Sequence, residues 1–188
     1  MPTAETIVPF IAEIFNRRGA EEYLGEPVTI SQHMLQCAEL AEREGADETL
    51  IAAALLHDIG HFTHDFATDA AEQGIDSVHE EAGARVIAEF FPQLITDCVR
   101  YHVDAKRYLC ATDPEYLGRL SPASVRSLEL QGGPMTETEV AAFAENPHLD
   151  AILQVRRWDD TGKDPNHAAP PFEHYAPMLE RVARAHAG

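Results

Sequence analysis

Hydrophobic residues along this chain recur at spacings of three and four, which is the period of amphipathic helices. In the first segment Ile7, Ile11 and Ile14 share one face before a glycine ends it. The pattern predicts helices over residues 3–18, 29–44, 47–58, 79–90, 92–103, 137–145, 148–157 and 172–186. Because neither strand-like alternation nor an internal repeat stands out, we expect an all-α helical bundle and a single domain over residues 1–188.

Turn-forming residues mark the connections between these helices. Gly25 and Pro27 prevent residues 23–28 from forming a regular helix. The segment 121–124 has the composition of a capped helix start, and the segment 131–134 that of a turn. Residues 164–171, rich in proline, histidine and alanine, are expected to form a loop too short to link two domains.

The composition narrows the possible partners. With 32 acidic and 14 basic residues the net charge is −18, which argues against binding to nucleic acids or anionic membranes. No stretch is long and apolar enough to predict a transmembrane helix or a signal peptide, so a cytoplasmic location is expected. The three cysteines, Cys37, Cys98 and Cys110, lack paired spacing and are expected to be buried reduced thiols.

A histidine–aspartate pair, His57 and Asp58, follows the apolar segment 50–56. A carboxylate in such a setting has to be paired or bound to metal. Side chains of adjacent helical residues point about 100° apart, so such a pair seldom binds one ion. The usual arrangement is that the histidine binds one metal ion and the aspartate bridges to a second.

Further nitrogen and oxygen ligands occur before and after this pair, at His33, His79, His102 and Asp159. This set suits iron, manganese or zinc better than calcium or copper(I). Six ligands distributed over two ions leave coordination positions open, as a catalytic site requires.

These residues resemble the HD-domain superfamily, most of whose members are metal-dependent phosphohydrolases. The closer resemblance is to its mixed-valent diiron oxygenases of the PhnZ and TmpB type, which cleave carbon–phosphorus bonds of organophosphonates. It extends from about Tyr23 to Lys163. The matching motifs are Tyr-Leu-Gly-Glu (23–26), Gln-His-Met-Leu-Gln-Cys-Ala (32–38), Leu-Leu-His-Asp-Ile-Gly-His (55–61), His79-Glu80, Tyr101-His102 with Lys106, and Arg-Arg-Trp-Asp-Asp (156–160).

The resemblance implies a dinuclear site holding two iron ions, one ferrous and one ferric. Asp58 would bridge them, and the terminal ligands would be His33, His57, His79, His102 and Asp159. It also implies a substrate-binding set at His61, Lys106, Ser124, Gln131 and Arg156.

Helical spacing places two of these cations near ligands. Lys106 lies four residues after His102, and Arg156 lies three residues before Asp159. We expect these to be the only cations one helical turn from a ligand. The alternative is that both are ordinary surface charges.

The loop that contains Tyr23 and Glu26 distinguishes oxygenases from hydrolases in this comparison. The resemblance implies that the tyrosine binds the oxygen-activating iron at rest and that the glutamate hydrogen-bonds to it. A cationic group on the substrate would attract the glutamate and open the site only when substrate is present.

The expected reaction is the O2-dependent oxidation of C1 in a 1-hydroxy-2-(amino or trimethylammonio)ethylphosphonate, giving glycine or glycine betaine and phosphate. The alternatives are a metal-dependent phosphohydrolase, a diiron oxygenase acting on a polyol, and a catalytically silent domain. The sequence leaves the oligomeric state open. Asp160 is expected not to bind metal, Trp158 and Phe91 to belong to the core, and the remaining histidines to be incidental: His64, His148, His167, His174 and His186.

Overall fold

The computed structural model describes residues 2–23, 25–66 and 79–188, with residues 63–66 described through their backbone alone. α-Helices account for most of these residues, and a 3₁₀ helix, Ile59–Phe66, follows the third α-helix. The α-helices are α1 (Ile7–Arg18), α2 (Ile30–Arg43), α3 (Glu48–Leu56), α4 (His79–Ile87), α5 (Gln93–Thr112), α6 (Pro122–Leu130), α7 (Glu137–Phe143), α8 (Leu149–Thr161) and α9 (Phe172–Ala187).

Side-chain caps fix the starts of several helices. At α2, Thr29 and Gln32 form a reciprocal capping box. The Asp47 side chain accepts a hydrogen bond from the first turn of α3, and Ser121 does the same for α6. These caps fix the starts of three of the helices that surround the site described below.

Helix α3 lies at the centre of the bundle, where α2, α5, α8 and α9 pack around it. Residues 51–56 are all buried, which explains why this helix is apolar on every face. Phe91 and Trp158 belong to the same core, as expected. By ending at Leu56, α3 delivers His57 and Asp58 to the middle of the molecule, where neither side chain is exposed to solvent.

Several helix boundaries differ from the predicted ones. Helix α5 was expected to end at residue 103 but continues to Thr112, because Ala105, Lys106 and Leu109 extend its buried face. Helix α8 continues to Thr161, and α1 begins only at Ile7. The predicted helix 47–58 ends two residues early, so His57 and Asp58 lie in the turn that follows it.

The three cysteines differ in their burial. Cys37 and Cys98 are buried and unpaired, whereas Cys110 is partly exposed, contrary to expectation. Among the described residues, no helix combines the length and the apolar character needed to cross a lipid bilayer.

Candidate metal centre

Four histidines and two aspartates from five separate places in the bundle meet at its centre. Each is a residue that the sequence nominated as a ligand: His33 on α2, His57 and Asp58 after α3, His79 at the start of α4, His102 on α5 and Asp159 on α8. All except His79 are buried.

One half of the cluster surrounds Oδ2 of Asp58. The Nε2 atoms of His33 and His57 lie 3.6 and 3.5 Å from this oxygen and 3.0 Å from each other. Asp159 completes the group, with its Oδ1 3.4 Å from Nε2 of His33.

The other half surrounds Oδ1 of the same aspartate. The Nε2 atoms of His79 and His102 lie 3.5 and 3.3 Å from Oδ1 and 3.3 Å from each other. His61 is slightly further away, at 3.9 Å. The two oxygens of Asp58 therefore face two different pairs of histidines, which is the arrangement expected of a bridging carboxylate.

Backbone carbonyls orient three of the imidazoles. The Nδ1 atoms of His33, His57 and His102 lie 2.9, 2.8 and 2.8 Å from the carbonyl oxygens of Gly162, Ala54 and Val99. Donation of Nδ1–H to these carbonyls directs each Nε2 at the centre of the cluster, where its lone pair can bind metal once that nitrogen is deprotonated. Such outer contacts are typical of histidines that bind metal.

The donor set fits a pair of cations. Both carboxylate oxygens of Asp58 and Oδ1 of Asp159 are buried and have no hydrogen-bond partner among the described residues. Two nitrogen ligands that each lie about 2.1 Å from one ion, at right angles to each other, are about 3.0 Å apart. The Nε2 atoms of His33 and His57 are also 3.0 Å apart. The cluster therefore indicates a metal site.

The two carboxylates are held in their charged form. Burial disfavours ionisation of Asp58, but His57, His102 and His79 together hold its pKa well below the usual range. Burial also opposes ionisation of Asp159, and Arg156 and Lys163 hold its pKa well below the usual range. Ionised carboxylates are the form that binds metal.

Cys37 lies beside the cluster but is a poor ligand. Its Sγ is 3.8 Å from Nδ1 of His33 and donates to the carbonyl of Trp158 at 3.4 Å. Burial raises the pKa of this thiol well above its usual value. In the absence of a metal ion the thiol is therefore neutral, and it packs against His33.

A cavity of about 150 Å³ opens onto the cluster. The sequence predicted seven site residues in addition to the metal ligands, and all seven line this cavity: Tyr23, Glu26, His61, Lys106, Ser124, Gln131 and Arg156. Its lining also includes Ser127 and Lys163, which sequence reasoning missed. His61 is neutral here, since burial lowers the pKa of its imidazole to about 4.

The cations in the cavity have very different partners. The Arg156 guanidinium is held by Asp159, with NH1 2.7 Å from Oδ2, by Asp160, and by the hydroxyl of Tyr116 at 3.2 Å. Lys106 donates to Ser127 Oγ at 2.7 Å, and none of the carboxylates in the described ranges lies within ion-pair distance of it. Both cations are buried, so the alternative that they are surface charges is wrong.

Lys163 is a third cation one turn from a ligand, which corrects the expectation that Lys106 and Arg156 would be the only ones. It lies four residues after Asp159, and its Nζ is 3.7 Å from Oδ1 of that residue. The i, i+4 spacing could have revealed it, but the predicted helix ended at residue 157.

The Tyr23–Glu26 loop lies over the His33 side of the cluster. The ring of Tyr23 stacks on the His33 imidazole, with centroids 4.5 Å apart and planes inclined by 14°. A turn closed by the Glu26 amide and the Tyr23 carbonyl, with Gly25 at φ 81°, directs Glu26 toward Ser121 at the start of α6. A larger residue at position 25 would be strained at this φ and would crowd Ala123.

Histidines and carboxylates outside the cluster pair with other groups. Asp160 contacts Arg156 and the Tyr116 hydroxyl rather than the histidines of the cluster. His148, expected to be incidental, lies 2.8 Å from a buried carboxylate, that of Asp97. The other histidines lie near the surface: His167 pairs with Glu39, His174 pairs with Glu42, and His186 is exposed, while the side chain of His64 lies outside the described residues.

Helices that converge on histidine and aspartate ligands are the architecture of the HD domain. The model of the HD domain family matches residues 30–142. The chain therefore belongs to the HD domain family, and the all-α fold expected from the sequence is confirmed.

Relatives narrow this assignment. A protein of Leisingera caerulea named [1-hydroxy-2-(trimethylamino)ethyl]phosphonate dioxygenase (glycine-betaine-forming) is 57% identical over 182 residues, covering 97% of this chain and 93% of the relative. Hydroxymethylphosphonate dioxygenase of Gimesia maris is 42% identical, covering 85% and 80%. An uncharacterized protein of Acanthamoeba polyphaga mimivirus is 33% identical, covering 90% and 78%. The expected resemblance to the phosphonate-cleaving oxygenases is confirmed.

Proposed function

We propose that this protein is an iron-dependent dioxygenase that converts [1-hydroxy-2-(trimethylamino)ethyl]phosphonate to glycine betaine and phosphate. The observation that carries the proposal is that Asp58 presents one oxygen to each of two histidine pairs at the floor of a cationic cavity. The name of the relative that is 57% identical supports the trimethylated substrate over its free amine, which the sequence left open.

The proposed cofactor is a pair of iron ions in a mixed ferrous and ferric state. His33, His57 and Asp159 would hold one ion, His79 and His102 the other, and Asp58 would bridge them. When bound, the pair would activate O2, which accepts the electrons released at C1. The nitrogen-rich donor set suits iron, although zinc and manganese accept the same ligands.

The cavity supplies groups for each part of this substrate. Lys106 and Arg156 offer positive charge to the phosphonate, and the Ser124 hydroxyl and His61 imidazole line the same space. The amide oxygen of Gln131 is buried without a partner, so this amide is available to a ligand. Glu26 provides an anion for the trimethylammonium group.

The overall reaction balances with one O2. C1 loses its hydrogen and its bond to phosphorus, and two oxygen atoms are added, one in the carboxylate and one in phosphate. In this scheme the residues of the chain bind and orient the substrate so that C1 faces the metal site. Tyr23 and Glu26 cover that site until the substrate arrives.

The experiment is phosphorus NMR of the iron-loaded enzyme with the trimethylated phosphonate, its free-amine analogue and a phosphate monoester, each with and without O2. We expect phosphate from the trimethylated compound in air only, no reaction in the Asp58→Ala variant, and two irons per chain in the parent. Oxygen-independent release of phosphate from the ester would instead identify a phosphohydrolase. Full activity with zinc alone would contradict the iron assignment.

A further inference from the structure

Lys163 and Glu26 form an ion pair in the lining of the cavity. Nζ of Lys163 lies 3.1 Å from Oε1 of Glu26, and both side chains are less than a tenth exposed. The hydroxyl of Ser121 donates to the same carboxylate oxygen at 2.5 Å. The pair connects the segment between α1 and α2 to the second residue after the end of α8, 137 positions away in sequence.

Lys163 also reaches toward the region proposed for the phosphonate. Its Nζ is 3.4 Å from Oγ of Ser124, which lines the cavity, and 5.7 Å from the centre of the Tyr23 ring. A phosphonate oxygen in contact with Ser124 would therefore lie close to this ammonium group.

The other two cations of the cavity are not placed to make such an exchange. Arg156 is fixed by Asp159, Asp160 and Tyr116, so its guanidinium has little freedom. Within the part of the chain that the structure describes, Lys106 has only a neutral hydroxyl as partner, so its binding to an anion would release no carboxylate. Lys163 alone among these three is paired with a carboxylate that is neither a candidate metal ligand nor next to one.

We propose that the Lys163–Glu26 ion pair is a specificity element that selects phosphonates carrying a cationic group. When the substrate binds, Lys163, whose Nζ also lies 3.7 Å from Oδ1 of Asp159, exchanges Glu26 for the phosphonate, and Glu26 pairs with the trimethylammonium group. The Lys163–Glu26 pair is thus replaced by two pairs with the substrate. The proposal deepens the proposed function and rests on it.

The selectivity follows from the cost of leaving a buried charge unpaired. A substrate with both charges replaces both partners of the resident pair. A phosphonate without the cation draws Lys163 away and leaves Glu26 buried and uncompensated, which is strongly unfavourable. Rejection of such a ligand therefore comes from Glu26, for which only a cationic ligand supplies a new partner.

The test compares the trimethylated phosphonate with its neutral isostere, (1-hydroxy-3,3-dimethylbutyl)phosphonate, in which a tert-butyl group replaces trimethylammonium. Dissociation constants are measured by calorimetry on the metal-loaded enzyme without oxygen, so that no turnover occurs. The variants are Glu26→Gln and Lys163→Gln. Arg126→Gln serves as the matched control, since it removes an exposed cation near the same loop.

The exchange predicts effects of opposite sign on the isostere. Glu26→Gln should bind the isostere about tenfold more tightly than the parent and the cationic substrate about tenfold less tightly. Lys163→Gln should weaken binding of the isostere and increase the preference for the cationic substrate, because Glu26 is then unpaired. Arg126→Gln should leave the ratio of the two constants unchanged.

Two outcomes would overturn the inference. If Glu26→Gln weakens both ligands equally, Glu26 only supports the loop. If Lys163→Gln leaves the ratio unchanged, the two residues do not exchange partners. Failure of the parent to bind either phosphonate, or to release phosphate in air, would contradict the proposed function itself, so the two failures are distinguishable.

Discussion

The carbonyl oxygen of His79 lies against Gly60, where any other residue would carry its side chain. A Cβ at position 60 would be 1.8 Å from this oxygen. Gly83, one turn further along α4, faces the same place, and a Cβ there would be 2.9 Å from the Gly60 nitrogen. Two missing side chains thus allow α4 to approach the turn after Asp58, and this approach places His79 3.5 Å from that carboxylate.

Replacement of Gly60 should therefore affect one half of the metal centre selectively. In Gly60→Ala, α4 has to move away, so we expect loss of the ion held by His79 and His102 and retention of the ion held by His33 and His57. Metal content of the purified protein should fall from two ions per chain to one. Gly118→Ala is the control, because a Cβ there meets no atom within 4 Å. A Gly60→Ala protein with two ions would contradict this account.

The two adjacent aspartates on α8 should differ in their effect on metal binding. Asp159 has an oxygen 3.4 Å from His33, whereas Asp160 contacts Tyr116 and Arg156. Asp159→Ala should lower metal content, and Asp58→Ala should abolish binding of both ions. The Asp160→Ala protein should still bind metal but should bind the phosphonate more weakly, because Arg156 loses its contact with the Asp160 carboxylate. If Asp160→Ala loses metal while Asp159→Ala keeps it, the assignment is reversed.

The sequence predicted the candidate ligands better than it predicted what surrounds them. His33, His57 and His102 were identified because residue types that bind metal occur in recognisable short motifs, within a predicted helix or at its end. The pairing of Lys163 with Glu26 could not be predicted, because the two residues are 137 positions apart and no local pattern links them. Tyr116 was missed for the same reason, since its contact with Asp160 spans 44 positions.

The predicted helix boundaries were wrong where polar residues lie within a helix that is buried on one side. Helix α5 continues past residue 103 through Asp104 and Arg107, which form an ion pair with each other. Arg107 also pairs with Glu139 of α7. The hydropathy pattern predicted the end of the helix at these polar residues. Their ion pairs allow the helix to continue, but such pairs cannot be predicted before the helices are packed together.

Tyr116 is expected to act as a positioning residue for Arg156. Its hydroxyl contacts both Asp160 and Nε of Arg156, and it is buried. Tyr116→Phe should raise the KM for the phosphonate about fivefold, about 1 kcal/mol for one hydrogen bond, with kcat and metal content close to those of the parent. Tyr108→Phe, on the adjacent α5, serves as the control. An unchanged KM would assign Tyr116 to packing alone.

Lys106 should make phosphonate binding depend on pH. Burial, together with nearby Arg156, lowers the pKa of its ammonium group to about 8. The group is therefore charged below about pH 8 and neutral above it, so phosphonate affinity should fall as the pH rises through this range. In Lys106→Arg the guanidinium stays charged, and the fall should disappear even if the affinity is lower throughout. Lys163 cannot produce this profile, because although burial opposes its charge, Asp159 and Glu26 raise its pKa. A parent affinity that does not decline above pH 8 would contradict the role of Lys106.

Tyr23 should protect the metal centre from oxygen when substrate is absent. Its ring stacks on His33 at the edge of the cavity, and burial together with Asp58 raises the pKa of its hydroxyl well above the usual value. Removal of the hydroxyl in Tyr23→Phe keeps the stacked ring but removes a potential metal ligand. We expect the reduced, iron-loaded variant to oxidise in air several times faster than the parent without substrate, followed by its optical and paramagnetic signals. Tyr101→Phe, whose ring packs on Phe143, is the control. Equal oxidation rates in Tyr23→Phe and the parent would show that the loop does not restrict oxygen, and its role would then be confined to the charge recognition proposed for Glu26.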